Sequence, residues 1–140
     1  MAKTGLRMDA GHYDEGFLKR DWHTVFRPVP PNLTIVREAE WRQRIEDNYY
    51  DVIIAHNEMN GIDVAKARCG KLLVCHNRRT FLNTTASSAG DSDPLEAFGK
   101  LLDYLRERFE FVFISESKRD DYRIHGRVIL PGIDVEEYGG

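Results

Sequence analysis

The chain has 140 residues, of which 20 are Lys or Arg and 23 are Asp or Glu, giving a formal net charge of −3. This length suits a single domain with its own core, while the slight negative charge argues against a nucleic-acid-binding protein, which uses a broad positive field. No segment approaches the ~20 apolar residues of a membrane span and the N-terminus lacks a signal-peptide pattern, so a cytoplasmic protein is expected.

Few structural signals precede residue 32, because glycine and proline recur throughout this part of the chain. Leu6–Met8 is predicted as a short strand, Gly11 with His12 as the glycine turn after it, and residues 14–22 as the next helix. Leu33–Val36 is predicted as a strand because it is apolar and β-branched.

Three large side chains then recur at four-residue spacing: Trp41, Ile45 and Tyr49. This spacing places them on one face of a helix over about residues 39–50. The stripe is interpreted as core packing and not as a binding surface.

Two apolar runs end in the same pair of polar residues. Asp51–Ala55 is followed by His56-Asn57, and Leu72–Cys75 is followed by His76-Asn77. Both runs are predicted as strands covered on both faces, because they lack polar alternation.

A helix is predicted between these two strands. Asn60 and Asp63 are its predicted caps, and Gly70 is predicted to end it. Its inward-facing residues are predicted to be Ile62, Ala65 and Cys69.

Residues 80–93 lack periodicity and are predicted as a long loop, which in a compact domain is usually functional or mobile. Asp93 as N-cap and Pro94 as the first helical residue then predict a strong helix start. The predicted buried face of this helix carries Leu95, Phe98, Leu102, Leu105 and Phe109.

The chain closes on a strand, a turn, a helix and a further strand. Phe111–Ile114 is the first of these strands, and Ser115 and Ser117 are both candidate caps for the helix that follows. Gly126 is predicted to end that helix in a left-handed conformation. Val128–Leu130 is predicted as the last strand.

Apolar strands alternating with helices predict an α/β fold, namely a three-layer Rossmann-like domain with a parallel sheet of about five strands. Ligands of such sheets bind beyond the carboxyl ends of the strands. The polar groups expected at that rim offer directional donors and acceptors, which suit a polyhydroxyl or phosphorylated ligand. They are His56, Asn57, His76, Asn77, Arg78, Ser115, Glu116 and Gly132.

Simpler interpretations of these residues stay open. A histidine at a strand end is often only a local hydrogen-bond partner, and Ser115 can be a helix cap and nothing more. Glu116 can simply complement a helix N-terminus. Dinucleotide, P-loop, zinc and Gly-x-Ser-x-Gly motifs are all lacking in the sequence, so neither a cofactor nor a metal site is predicted.

The segment from about Asp51 to Tyr138 resembles the N-terminal domain of family 4 retaining glycosyltransferases, which have two Rossmann-like domains (the GT-B fold). Four features carry the resemblance. Two strands end in His56 and His76, an apolar strand ends in Ser115-Glu116, and Gly132-Ile133-Asp134 is followed by the acidic and aromatic triplet 136–138.

This resemblance implies transfer of a sugar from a nucleotide-sugar with retention of anomeric configuration. The acceptor, a sugar or glycan, would rest on this domain, with catalytic His76 near the reacting sugar, the other rim residues lining the cleft, and Gly11 and His12 as an acceptor loop. Residues 1–140 would be one domain whose residues 131–140 begin the interdomain linker. The donor would bind a C-terminal domain that has no counterpart here, so the chain alone is not expected to catalyse.

The main alternative is a non-catalytic Rossmann-like binding or interaction module. Exposed apolar surface on the cleft side would favour a homodimer in either case. Lys118 and Arg119 are interpreted as a solvated face, with a peripheral contact to lipid headgroups as the alternative.

Overall fold

A computed structural model describes residues 6–13, 29–76 and 94–130, with the backbone alone for 94–98. The chain divides into two compact units, Met1–Tyr49 and Tyr50–Gly140. Within the described residues the fold is α/β, with a two-stranded and a four-stranded parallel sheet and four helices, which confirms the predicted class. The helix predicted over 14–22 and the loop over 80–93 lie outside the described residues.

The first unit contains two parallel strands and one helix. Strand β1 (Met8–Gly11) pairs with β2 (Leu33–Val36), with Met8 opposite Leu33, and helix α1 (Glu38–Glu46) follows. The first strand thus begins two residues later than the start predicted from Leu6. Gly11 is the last residue of β1 rather than part of a turn after it.

Gly11 is required by packing inside this unit. A Cβ atom at this position would lie 2.8 Å from Cδ1 of Trp41, which is buried. The ring of Tyr13 meets the same indole edge-on, with 5.7 Å between ring centroids. A side chain at position 11 would therefore displace Trp41 from its place against the strand.

The predicted core stripe on α1 is confirmed for one of its three members. Trp41 is buried, Ile45 is half-buried and Tyr49 is 54% exposed. The helix ends at Glu46, and Asn48 adopts a left-handed backbone with φ of 54°. This reversal of the chain takes Tyr49 off the helical face that the four-residue spacing assumed.

The second unit is built on a four-stranded parallel sheet in the order β3-β4-β5-β6. Three helices accompany it, and neither they nor α1 combine the length and apolar character that crossing a membrane requires. The strands are β3 (Val52–Ala55), β4 (Gly70–Cys75), β5 (Glu110–Phe113) and β6 (Arg127–Val128). The helices are α2 (Glu58–Val64), α3 (Pro94–Arg108) and α4 (Glu116–Tyr122).

The core of this unit lies between the sheet and its helices. Leu73 from β4, Phe113 from β5 and Leu105 from α3 are each completely buried. Of the predicted α3 stripe, Leu105 and Phe109 are buried and Leu102 is half-buried, while Leu95 and Phe98 are outside the described side chains. The helical periodicity therefore located the core face correctly wherever its side chains are described.

The cap of α2 lies earlier than predicted. Asn57, and not Asn60, is the N-cap, and its side-chain oxygen accepts from the Asn60 backbone N–H at 2.9 Å. The buried side of the helix carries Glu58, Gly61 and Val64, so Ile62 is exposed although it was predicted to face inward, while Ala65 is buried as predicted. Gly70, predicted to end the helix, is the first residue of β4.

The cap of α4 is Ser115, as predicted. Its hydroxyl accepts from the Lys118 backbone N–H at 3.3 Å. Ser117 is wrong as a second cap, because it lies inside the helix. The left-handed residue at the helix end is Arg123, with φ of 56°, and not Gly126.

Gly126 serves the packing of β5 instead. A Cβ atom there would lie 2.5 Å from Cε2 of Phe113 and 2.9 Å from the carbonyl oxygen of Phe111. The glycine lets the chain pass close to β5 before β6. The ladder continues past β6, since the Ile129 N–H donates to the carbonyl oxygen of Phe113 at 2.9 Å.

Candidate functional site

Two histidine side chains meet at the carboxyl edge of the four-stranded sheet. His56 follows β3 and His76 follows β4, and these strands are neighbours. Nδ1 of His56 lies 3.2 Å from Nε2 of His76, and both residues are exposed. The structure thus brings together two residues that are 20 positions apart, as the strand-end rule predicted.

The two imidazoles meet nitrogen to nitrogen. Their ring planes differ by 25°, and their centroids are 5.4 Å apart. The distance between the centroids nearly equals the 3.2 Å between the facing nitrogens plus the distance from each ring centre to its own nitrogen. The N···N vector therefore runs close to the line that joins the ring centres. The contact is therefore an N–H···N hydrogen bond between ring edges and not a stack of ring faces.

This hydrogen bond fixes what the neutral pair offers to a ligand. One ring supplies the N–H between the rings and the other accepts it. The donating ring then has a bare outer nitrogen, and the accepting ring carries its proton on its outer nitrogen. Whichever ring donates, Nε2 of His56 and Nδ1 of His76 together present one donor and one acceptor.

The pair is biased toward this neutral form. Although His56 as a residue is exposed, neighbouring atoms shield part of its ring from water, and this desolvation lowers the pKa of His56 below its usual 6.5; repulsion from protonated His76 lowers it further. A doubly protonated pair would place two N–H groups against each other. His56 is therefore biased toward its uncharged form near neutral pH.

We expect the stability of the fold to fall as the pH drops below about 6.5, because the unfolded chain then binds a proton at His56 that the folded chain resists. Above about pH 6.5 His56 is neutral in both the folded and the unfolded chain. As the pH falls, the loss of stability stops growing once the pH is below the pKa of His56 in the folded chain. Urea unfolding between about pH 7.5 and about pH 5 should show a weaker pH dependence in His56→Gln.

His76→Gln provides the comparison for this experiment. It removes the repulsion from His76 but leaves the burial of His56, which is the larger cause of the lowered pKa. Its pH dependence should therefore lie between those of the wild type and His56→Gln. An equal pH dependence of the unfolding free energy in the wild type and in His56→Gln would show that His56 is not its source.

A buried polar cluster accompanies the histidine pair. Glu58, the first residue of α2, is 0% exposed, and its Oε1 accepts a hydrogen bond from the hydroxyl of buried Tyr122 at the end of α4. Oε2 of Glu58 is buried and has no hydrogen-bond partner among the described residues. The buried thiol of Cys75 lies close enough to Glu58 for the carboxylate charge to raise its pKa.

This cluster is not built for nucleophilic attack. Burial, and then the Glu58 charge, raises the pKa of the Cys75 thiol to about 12. Burial and the bond to Glu58 also raise the pKa of Tyr122. Both groups keep their protons at neutral pH, so neither is an activated nucleophile.

The other predicted rim residues divide into structural and surface roles. The oxygen of Asn57 and the hydroxyl of Ser115 each cap a helix, and Ser115 Oγ is also 3.1 Å from Ser117 Oγ. Glu116 is exposed at the start of α4. Asn77, Arg78 and Gly132 lie outside the described residues.

The predicted acceptor loop belongs to the first unit. Gly11 ends β1 against Trp41, and the backbone N–H of His12 donates to the carbonyl oxygen of Val36 at 3.4 Å. Both residues have local structural roles there.

Sequence reasoning missed Glu58 and Tyr122. They are 64 residues apart, and no motif joins them. The available signal was an acidic residue placed directly after a strand end, at the start of a helix, in Ala55-His56-Asn57-Glu58.

The described residues contain no group of three or more His, Cys, Asp or Glu side chains arranged to hold a metal ion.

Comparison of the chain with family models, with curated proteins and with solved structures found no match.

Proposed function

We propose that this chain is the acceptor-side part of a retaining glycosyltransferase with a GT-B fold, and that the histidine pair binds hydroxyl groups of the acceptor sugar. The observation that carries the proposal is the 3.2 Å contact between His56 and His76 at the carboxyl edge of adjacent parallel strands. The finer fold proposed with it is a three-layer Rossmann-like domain with about five parallel strands.

The chemistry of the neutral pair supports a sugar as ligand. A hydroxyl group both donates and accepts, and neighbouring hydroxyls of a sugar can do one of each. One outward donor beside one outward acceptor matches that requirement. A phosphate offers acceptors only, so it would pair well only with the protonated form.

The resemblance in the sequence supports the remaining roles. His76 would lie near the reacting sugar, and the nucleotide-sugar donor would bind a C-terminal domain reached through residues 131–140. A reading frame that continues past Gly140 and contains a Glu-x7-Glu motif would favour this enzyme over a non-catalytic binding module. We also propose a homodimer and a peripheral contact with a membrane.

We expect neutral mono- and disaccharides to bind this chain at pH 7.5 and to shift the imidazole resonances of His56 and His76 in NMR titrations. His76→Ala should weaken that binding at least tenfold, or by about 1.4 kcal/mol. Its unfolding midpoint should change little, because an exposed imidazole at a strand end loses few packing contacts.

His125→Ala is the matched control, since His125 is also an exposed histidine but lies beyond α4. It should bind the same sugars as the wild type. The proposal fails if no neutral sugar shifts either histidine, or if His76→Ala binds as well as the control. Preferential binding of sugar phosphates at pH 7.5 would also contradict it.

A further inference from the structure

Glu58 combines two properties that seldom occur together in a protein core. It is a completely buried acidic residue, and one of its carboxyl oxygens is without a hydrogen-bond partner among the described residues. Burying a polar atom without a partner destabilises a fold. Such an atom requires an explanation, and a role at a functional site is one.

The Glu58–Tyr122 hydrogen bond joins two helices that start from the site's edge of the sheet. Glu58 opens α2, two residues after His56, while Tyr122 closes α4. The ring of Tyr122 packs on Phe113 of β5, with 5.4 Å between centroids. The bond therefore ties the first turn of α2 to the core beside β5.

The Glu58 carboxylate also lies near the end of β4, the strand that precedes the second histidine. Cys75, the last residue of β4, is buried, and the charge of Glu58 raises the pKa of its thiol. His76 is the next residue. Each histidine therefore lies within two residues of a buried polar group, Glu58 for His56 and Cys75 for His76.

We propose that the Glu58–Tyr122 hydrogen bond positions His56 and His76, holding their facing nitrogens in contact. An N–H···N bond of 3.2 Å is already at the long end of the normal range, so a small shift of the first turn of α2 would break it. Glu58 and Tyr122 are positioning residues and need not touch a ligand. The existence of this device does not depend on the proposed function, which only names the ligand.

The decisive variant is Glu58→Met with Tyr122→Phe. It removes the hydrogen bond but leaves an apolar pair of similar size with no buried polar atom, a replacement that folds often tolerate. With ¹⁵N-labelled histidine, the scalar coupling between the two facing nitrogens reports the contact directly. We expect that coupling in the wild type and its loss in the double variant, with sugar affinity at least fivefold weaker.

Glu58→Gln is the conservative comparison, because its amide oxygen can still accept from Tyr122. It should retain the coupling. Phe109→Leu, which removes buried apolar contacts at the amino end of β5, controls for lost stability and should retain the coupling as well. If the double variant does not fold, Tyr122→Phe alone is tested against Phe109→Leu at equal folded fraction.

The outcomes separate this inference from the proposed function. Coupling that persists in the folded double variant, or in Tyr122→Phe, overturns the positioning role, as does a wild type without coupling. Loss of coupling in a chain that binds no sugar leaves the positioning role intact and rejects the proposed ligand. Loss in Phe109→Leu too would show a general effect of stability and overturn it.

Discussion

Replacing Gly126 with alanine should destabilise the second unit by about 3 kcal/mol, the upper part of the range for overpacked cores. The new methyl group would lie 2.5 Å from Phe113 Cε2 and 2.9 Å from the Phe111 carbonyl oxygen. Phe113 is fully buried, and the carbonyl belongs to the central part of the sheet. Neither neighbour can move without disturbing the core, so the urea midpoint should fall sharply.

Gly99→Ala is the matched control, with the same chemical change in helix α3. No atom of the described residues lies within 4 Å of a Cβ atom built at Gly99. Alanine should therefore stabilise the helix by roughly 0.5–1 kcal/mol. Opposite signs for the two substitutions would show that space, and not the loss of glycine itself, decides the result.

A second-site change identifies the cause of the Gly126→Ala defect. Phe113→Leu removes the ring atom nearest to the new methyl group but leaves the Phe111 carbonyl in place. The double variant should lose less stability than the sum of the losses in the two single variants. Strict additivity would mean that the clash with Phe113 is not the cause.

The second large effect is expected for Leu105→Ala, which should cost about 2–5 kcal/mol. Leu105 is completely buried on the inner face of α3. Its Cδ2 would lie 3.5 Å from a Cβ atom at Gly61 of α2, so it fills the space where the two helices meet. Leu101→Ala, at a half-buried position of the same helix, should cost clearly less in urea unfolding.

Gly61→Ala tests whether the loss comes from a cavity. Alone, its methyl group would be tight, at 3.3 Å from Leu73 Cδ1, and this offsets the helical gain from alanine. Beside Leu105→Ala it would enter the vacated space. The double variant should be more stable than Leu105→Ala alone, and equal or lower stability would argue against a cavity at this contact.

The sequence predicted the parts of this fold that depend on local periodicity. Leu105 and Phe109 lie where a helical repeat puts them, and Ser115 caps the helix it precedes. The predictions were wrong where a residue distant in the sequence determines the local structure. The pattern predicts a left-handed Gly126, but a glycine is needed there because Phe113 of β5 packs against this position. Tyr49 fits a helical stripe that a left-handed Asn48 cuts short.

Some features of the candidate site could also be predicted from the sequence, and others could not. His56 and His76 could be predicted to converge, because neighbouring parallel strands bring their ends to one edge. The role of Asn57 as a cap depends on the start of its helix, which sequence patterns place only to within a few residues. Glu58 and Tyr122 could not be found, since their bond exists only after the sheet has formed.

The nitrogen-to-nitrogen contact of the histidines has a consequence for ligand choice. Shifting a proton across the N–H···N bond, with a matching exchange at the outer nitrogens, interchanges donor and acceptor without moving a ring. Under the proposed function, the pair would therefore accept a hydroxyl group as donor or as acceptor and would not discriminate between the two. Discrimination would then fall to neighbours of fixed polarity, such as Asn57, whose side-chain oxygen is held by the Asn60 backbone N–H.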